Sequence, residues 1–177
     1  MKKLLALALA GVMAISMVAC GNAPAQNKNE NGMKIAIVSS PSGVDDGSFN
    51  QDNYNGVLKF IAENEGATVN PVREETGDSA AAVQAVADIV ADYEVIVCCG
   101  FQFAGIGDVA KENPNTKFIL IDSWPTVGGV ELTPDAPLEN VYAAYYAEQE
   151  SGFYAGMAAA LETKTGKVAV VNGIAFP

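Results

Sequence analysis

The chain has 177 residues, with 21 acidic and 10 basic side chains, no histidine and a formal net charge of −11 at pH 7. This acidic balance argues against nucleic-acid binding, which needs a basic surface, and against attachment to anionic lipid through a polybasic patch. Because there is no histidine, neither a zinc site nor a common nucleophile–base pair is indicated. We therefore expect a protein that is not an enzyme and that needs no cofactor.

Residues 1–19 have the layout of a secretory signal peptide. Two lysines precede an apolar run over residues 4–18, which is too short to span a bilayer as a mature helix. The run closes on residues 17–20, which resemble a lipobox, in which the chain is cut before Cys20 and that cysteine receives the lipid. The sequence therefore predicts a lipoprotein signal peptide. An ordinary secretion signal followed by an incidental cysteine is the alternative.

Residues 20–33 are predicted to be the lipidated Cys20 and a flexible tether. The sequence GNAPAQNKNENG that follows the cysteine is small, polar and free of bulky apolar residues, so it cannot bury enough surface to fold. The lipid, rather than a transmembrane helix, would hold the protein at the extracytoplasmic face of the cell membrane.

From residue 34 onward, short β-branched runs alternate with segments of helical periodicity. The predicted strands cover residues 34–39, 68–72, 95–99, 118–122, 141–146 and 167–171. The predicted helices cover residues 48–65, 78–92, 103–112 and 148–162. Nearly continuous apolar strands separated by amphipathic helices predict an α/β fold, a doubly wound parallel sheet covered on both faces.

Several segments interrupt or end this pattern. Residues 124–140 contain three prolines and predict an irregular excursion, and three tyrosines within residues 142–146 are expected to pack rather than bind. Cys98 and Cys99 are neighbours in a predicted strand, where packed thiols are favoured over a strained disulfide or a redox pair. The strand at 167–171 has no successor to cover it, which predicts an incomplete domain.

Polar clusters follow three of the predicted strands. They are a loop over residues 39–51 and the short segments 100–103 and 122–124. In an open parallel sheet, ligands bind beyond the carboxyl ends of the strands. Aromatic rings beside carboxylates and amides suit a neutral polyhydroxylated ligand that carries a flat ring. A phosphorylated ligand fits less well, because these loops carry no lysine or arginine.

Each candidate residue in these clusters also has a structural explanation. Asp45 or Asp46 could cap the helix that follows. Phe101 and Phe103 could belong to the core, and Asp122 could serve a turn. The three clusters together make a stronger case for a ligand site than any one of them.

The opening strand and the loop VDDGSFNQ at residues 44–51 resemble the signature of the basic membrane protein family. These proteins are purine-nucleoside-binding lipoproteins, the extracytoplasmic receptors of ABC transporters. The similarity covers residues 34–177: it continues through segments at 100–101, 113–118 and 121–122 and is strong again at 150–156 and 163–168.

The resemblance implies a type I periplasmic binding protein, with two α/β lobes around a ligand cleft. Residues 34–144 would be the first lobe, and residues 145–177 the beginning of a second, truncated lobe. The implied partners are a nucleoside, the permease of an ABC transporter and, through the lipid on Cys20, the membrane. A surface lipoprotein that signals or adheres, or a sugar-binding receptor of the same fold, is the alternative.

The resemblance also implies which side chains of the first lobe meet the ligand. The carboxylate of Asp45 or Asp46 and the amide of Asn50 would reach the nucleoside. The ring of Phe49 or Phe101 would lie near the base. The carboxylate of Asp122 would lie near a hydroxyl or a ring nitrogen. Family members use a second lobe for the opposite wall. We therefore expect weak or no nucleoside affinity for residues 21–177 alone.

Overall fold

A computed structural model describes residues 32–171. The predicted signal peptide, the predicted lipidation site Cys20 and most of the predicted tether lie outside these residues. Within them, no helix is both long enough and apolar enough to cross a membrane.

Seven strands form in the described part of the chain: β1 (Lys34–Ser39), β2 (Thr68–Arg73), β3 (Val95–Cys99), β4 (Lys117–Ile121), β5 (Thr126–Val127), β6 (Val130–Glu131) and β7 (Val141–Ala144). Five of them make one parallel sheet in the order β2-β1-β3-β4-β7, and β5 and β6 form a small antiparallel pair. The predicted α/β parallel sheet is therefore confirmed.

The strands alternate with helices, as the sequence pattern predicts. The described helices are α1 (Phe49–Glu63), α2 (Ser79–Ile89), α3 (Ile106–Glu112) and α4 (Glu148–Glu162). Asp78 caps α2 by accepting hydrogen bonds from the backbone N–H groups of Ala80 and Ala81. The helix predicted from residue 103 is shorter than expected, because a 3₁₀ turn at Phe101–Phe103 comes before α3.

The sheet buries a separate apolar cluster on each face. In β1, Ala36 and Val38 face the side covered by α2 and α3, while Ile35 and Ile37 face the side where α1 packs. This alternation is the period-two pattern of a strand that is buried on both faces.

The α1 side of the sheet is only partly covered. Beside α1, the exposed part of β3, β4 and β7 forms an apolar groove of about 630 Å³, lined among others by Val57, Phe60, Val97 and Ile119. Complete cover of both faces was predicted, and this face differs because α1 spans only part of the sheet. Every residue of α4 is exposed.

Asn140 joins the irregular excursion to the end of α3. Its side-chain amide donates hydrogen bonds to the backbone carbonyls of Ala110, Asn113 and Thr116, at 2.9, 3.1 and 3.0 Å. The amide is buried, and it gives a second hydrogen-bond donor to the carbonyls of Ala110 and Asn113, which also accept from the backbone N–H groups of Asn113 and Thr116. The contacts place β7 beside β4, at the edge of the sheet.

Two further expectations from the sequence are wrong. Residues 167–171 do not form a strand. They are exposed and pair with no strand in the described part of the chain, so their backbone has no neighbouring strand with which to form hydrogen bonds. The tyrosines at 142, 145 and 146 are 69%, 57% and 52% exposed, because they lie at and beyond the edge strand. The ring of Tyr145 does lie 6.2 Å from that of Trp124.

A matched pair of leucine substitutions tests the core. Leu120→Ala removes a side chain that is 0% exposed, and we expect it to lower the free energy of unfolding by about 2–5 kcal/mol. Leu161→Ala, on a side chain that is 81% exposed, should change it by no more than about 0.5 kcal/mol. Urea unfolding followed by circular dichroism measures both. Equal effects of the two substitutions would contradict this assignment of the core.

Candidate functional site

A cavity of about 450 Å³ opens where β1, β3 and β4 end. All three polar clusters singled out in the sequence contribute to its lining. Five of the six predicted ligand-binding residues line it, and the sixth, Asp45, is exposed and not part of the lining; the five are Asp46, Phe49, Asn50, Phe101 and Asp122.

Asp46 organises the loop between β1 and α1. One carboxylate oxygen accepts hydrogen bonds from the backbone N–H groups of Ser48 and Gln51, at 2.9 and 3.0 Å. The other accepts from the backbone and the side-chain amide of Asn50, at 3.2 and 2.8 Å. A carboxylate has about four acceptor positions. All four acceptor positions of Asp46 are therefore occupied by donors within the loop and the start of α1, as the capping explanation predicts.

The pKa of Asp46 reflects this network. Desolvation of the carboxylate raises the pKa, but the backbone hydrogen bonds from Gln51, Ser48 and Asn50, together with the side-chain amide of Asn50, outweigh it. The net result is a pKa below the usual range for aspartate. The carboxylate is therefore ionised at neutral pH and holds the start of α1 in place.

The side chain of Asn50 is held in the cavity wall by hydrogen bonds. Its side-chain nitrogen donates to the Ser40 hydroxyl at 2.9 Å as well as to Asp46. Because an ionised carboxylate only accepts, these bonds identify the nitrogen and oxygen of the amide. The oxygen Oδ1 is buried and has no hydrogen-bond partner in the described part of the chain. Asn50 itself is only 3% exposed.

The two phenylalanines of the segment 100–103 have different roles. Phe103 is fully buried in the core, whereas Phe101 is 37% exposed and lines the cavity. Gly100 permits this turn, because its φ of +115° is disfavoured for other residues and a Cβ there would lie 2.5 Å from the Gln102 side-chain oxygen. Phe49, at the start of α1, supplies a second partly exposed ring.

Asp122 follows β4 in a strained backbone conformation. Its φ is +66°, the only positive value for a non-glycine residue in the described part of the chain. Its backbone N–H donates to the carbonyl of Ala144 at 2.8 Å. Burial raises the pKa of Asp122, and so do a hydrogen bond with the side chain of Glu148 and the negative charge of that residue. Strain of this kind is common at functional sites.

Three residues at or near the cavity were not named as ligand-binding candidates from the sequence. Glu148, in the first turn of α4, interacts electrostatically with Asp122. Gln102 lines the cavity, and its amide donates to the carbonyl of Cys99. Glu74 is 4% exposed and accepts hydrogen bonds from Thr76 and Gly77, which shape the loop after β2. Only the run of acidic residues at a helix start could have indicated Glu148.

Cys98 and Cys99 are free, buried thiols, as expected from the sequence. Burial, together with the charge of Asp46, raises the pKa of Cys99 to about 12, and burial raises the pKa of Cys98 as well. Both thiols are therefore neutral at physiological pH. Neutral, enclosed thiols are poor nucleophiles, so this structure does not favour the redox alternative.

The chemistry of the cavity is set by acceptors and rings. None of the residues that line it is lysine or arginine. Over residues 32–171 there is also no group of three or more side chains that could hold a metal ion. The lining instead offers carboxyl and amide groups, the hydroxyls of Ser40 and Ser42, and two phenylalanine rings. Such a lining favours an uncharged ligand with hydrogen-bond donors and a flat apolar surface.

A parallel sheet with a cavity at the carboxyl ends of its strands agrees with the architecture expected for a lobe of a type I periplasmic binding protein. Residues 33–177 match the family of ABC transporter substrate-binding proteins described as PnrA-like. The chain therefore belongs to this family, the Bmp family, which confirms the resemblance found in the sequence.

Individual relatives agree with this assignment. The chain is 30% identical over 151 residues to the ABC transporter nucleoside-binding protein BmpA of Lactococcus lactis, covering 80% of this chain and 38% of that protein. It is 27% identical over 184 residues to the CD4+ T-cell-stimulating antigen of Listeria innocua, covering 98% of this chain and 49% of that antigen. The chain thus spans less than half the length of these curated relatives.

Solved structures of solute-binding proteins share the fold. One from an ABC transporter system of Aeropyrum pernix aligns with a TM-score of 0.58 and 23% identity, over 72% of this chain and 32% of its own. Another from Conexibacter woesei aligns with a TM-score of 0.52 and 23% identity, over 72% of this chain and 40% of its own. At this level of identity the comparison shows the fold alone.

The role of Asp46 can be tested through its pH dependence. At neutral pH, Asp46→Ala should destabilise the protein by about 1 kcal/mol, because α1 loses its side-chain cap. The wild-type carboxylate has a lowered pKa in the folded state, so its contribution is present above about pH 4 and is lost as pH falls through that lowered pKa. The difference between the two proteins should therefore narrow in acid.

Thermal unfolding from neutral to acidic pH measures this difference. Asp45→Ala is the matched control, since Asp45 is exposed and lies outside the lining. A stability loss from Asp45→Ala equal to that from Asp46→Ala would contradict the assignment of the cap to Asp46.

Proposed function

We propose that this chain is the ligand-binding first lobe of a receptor that captures a nucleoside for an ABC transporter. Residues 34–144 would form this lobe and residues 145–177 the beginning of the second lobe. The observation that carries the proposal is the cavity at the ends of β1, β3 and β4, where acceptor groups and two phenylalanine rings meet without a cationic side chain. Family membership adds the role in transport.

A nucleoside matches each part of this lining. The rings of Phe49 and Phe101 are exposed enough to pack against a base. Asp122 can accept hydrogen bonds from ribose hydroxyls or from ring N–H groups. A nucleotide would bring a phosphate beside two aspartates with no compensating cation, which is electrostatically unfavourable. The relative from Lactococcus lactis is named as a nucleoside-binding protein.

The described cavity supplies only one wall of a binding site. High affinity in small-molecule sites comes from burying most of the ligand surface. Because one lobe leaves the opposite side of the ligand in water, we expect a dissociation constant of roughly a millimolar for this chain. Closure of a second lobe over the ligand would increase the affinity.

Ligand titration by NMR tests the proposed function, because it detects weak binding. Adenosine or guanosine should shift backbone signals of residues at the cavity, whereas the corresponding monophosphate and free ribose should bind at least about tenfold more weakly. Phe49→Ala should reduce nucleoside binding by about fivefold to tenfold, because stacking is lost.

Phe153→Ala is the control for that variant, since this ring is 64% exposed on α4 and lies outside the cavity lining. Equal binding of ribose and nucleoside would favour a sugar receptor over the proposed function. Preference for the monophosphate would contradict the electrostatic argument.

We also propose that the protein is anchored in the cell membrane through lipid on Cys20, with its domain on the extracytoplasmic face. The support is the lipobox-like segment at residues 17–20 and the polar tether that follows it. Intact-mass analysis of the membrane fraction should show a lipid-modified species that begins at Cys20. Cys20→Ser should remove the lipid mass and release the protein from the membrane. An unmodified wild-type cysteine would overturn the proposal.

A further inference from the structure

A side-chain amide lines the cavity next to Phe101 in the chain. Gln102 follows Phe101 in the 3₁₀ turn after β3, is half-buried and contributes to the same cavity lining. The turn is fixed at its far end, because the Phe103 ring is fully buried in the core and the Phe103 backbone N–H donates to the carbonyl of Gly100 at 3.2 Å. The position of Gln102 at the cavity is therefore set by the packed core.

A hydrogen bond fixes the orientation of this amide. Its nitrogen Nε2 donates to the backbone carbonyl of Cys99, the last residue of β3, at 3.1 Å. Because a carbonyl oxygen only accepts, the bond identifies which end of the Gln102 amide is nitrogen and which is oxygen. The oxygen Oε1 accepts no hydrogen bond from the described part of the chain. Gln102 therefore holds an acceptor of known identity at the cavity.

Gly100 makes room for the amide. Its φ of +115° favours glycine, and a Cβ at this position would lie 2.5 Å from Oε1 of Gln102 and 3.2 Å from its Cδ. A side chain at position 100 would therefore displace the amide. Gly100 also lines the cavity, so Oε1 lies against a residue of the cavity wall.

Gln102 differs from the other polar side chains that the loops bring to this wall. Asp46 accepts four hydrogen bonds from its own loop and the start of α1. Asn50 is only 3% exposed, so its amide is enclosed within the wall. Gln102 is half-buried and uncharged, and its oxygen is not engaged in the loop. Of the two side-chain amides in the lining, Gln102 is thus the one that a ligand can reach.

An amide oxygen distinguishes bases by the groups at their edges. The exocyclic amine of adenine donates hydrogen bonds, and the amide oxygen of glutamine is a matching acceptor. Hypoxanthine carries a carbonyl oxygen at the same position of the ring. That oxygen would face Oε1 of Gln102 without a proton between the two acceptors, so the contact would be unfavourable.

We propose that Gln102 determines base specificity: its Oε1 accepts a hydrogen bond from the exocyclic amine of the base and so selects adenosine over nucleosides that lack this amine. This inference rests on the proposed function. A base packed on the Phe101 ring would bring its edge to the Gln102 amide, because the two residues are adjacent in one short turn. The bond from Nε2 to Cys99 keeps the amide from rotating to present a donor instead.

The experiment compares three nucleosides by NMR titration of the whole chain. Purine riboside has a hydrogen in place of the exocyclic amine of adenosine and is otherwise identical to it. The wild-type protein should bind adenosine about threefold to tenfold more tightly than purine riboside, which corresponds to one hydrogen bond between neutral groups. Inosine, with a carbonyl oxygen in place of the amine, should bind no more tightly than purine riboside.

A pair of variants assigns the preference to Gln102. Gln102→Met keeps a side chain of similar length but removes the amide, so it should bind adenosine and purine riboside equally. Gln149→Met is the matched control, since Gln149 is exposed on α4 and lies outside the cavity lining, and it should keep the wild-type preference. The comparison of the three ligands needs only the wild-type protein, so it tests the inference even if Gln102→Met does not fold.

The outcomes separate this inference from the proposed function. Equal binding of adenosine and purine riboside by the wild-type protein, or a preference for inosine, would overturn the inference and leave the proposed function intact. A preference for adenosine that persists in Gln102→Met would overturn the role of Gln102. No binding of any of the three nucleosides would overturn both proposals.

Discussion

The register of the parallel strands is the constraint on which the rest of this structure depends. Val38 in β1 is aligned with Cys98 in β3, and Cys99 is aligned with Ile121 in β4, so these three strands end together at one edge. Each then leads directly into a polar loop. A parallel sheet places all its carboxyl ends on the same side, which is why residues far apart in sequence share one cavity.

In the loops at this edge, neighbouring residues differ in role: some hold the structure together and others line the cavity. The carboxylate of Asp46 accepts hydrogen bonds from the start of α1, and one of these bonds orients the side-chain amide of Asn50. Phe103 fills the core, while Phe101, two residues earlier, stays at the cavity. Neighbouring positions in one loop thus contribute separately to the core and to the cavity lining.

Much of the fold follows from local pattern. Apolar runs bounded by glycine and polar residues predict β1, β3 and β4 nearly to the residue, because a strand buried on both faces has few alternatives. The residues at 167–171 have a similar apolar pattern but form no strand. A β-strand needs a hydrogen-bonded neighbour, and the pattern within one segment does not reveal whether a neighbour is present.

The sequence by itself determined the α/β class, the family signature around residues 44–51, and the loops that would meet at one edge. Only the tertiary structure placed Asp46 rather than Asp45 in the cavity lining, left the Asn50 oxygen without a partner among the described residues, and brought Glu148 close enough to raise the pKa of Asp122. The reason is physical. The periodicity of strands and helices depends on residues that are close in sequence. Hydrogen bonding of buried groups and the pairing of carboxyl groups depend instead on distances between segments that only the folded chain brings together.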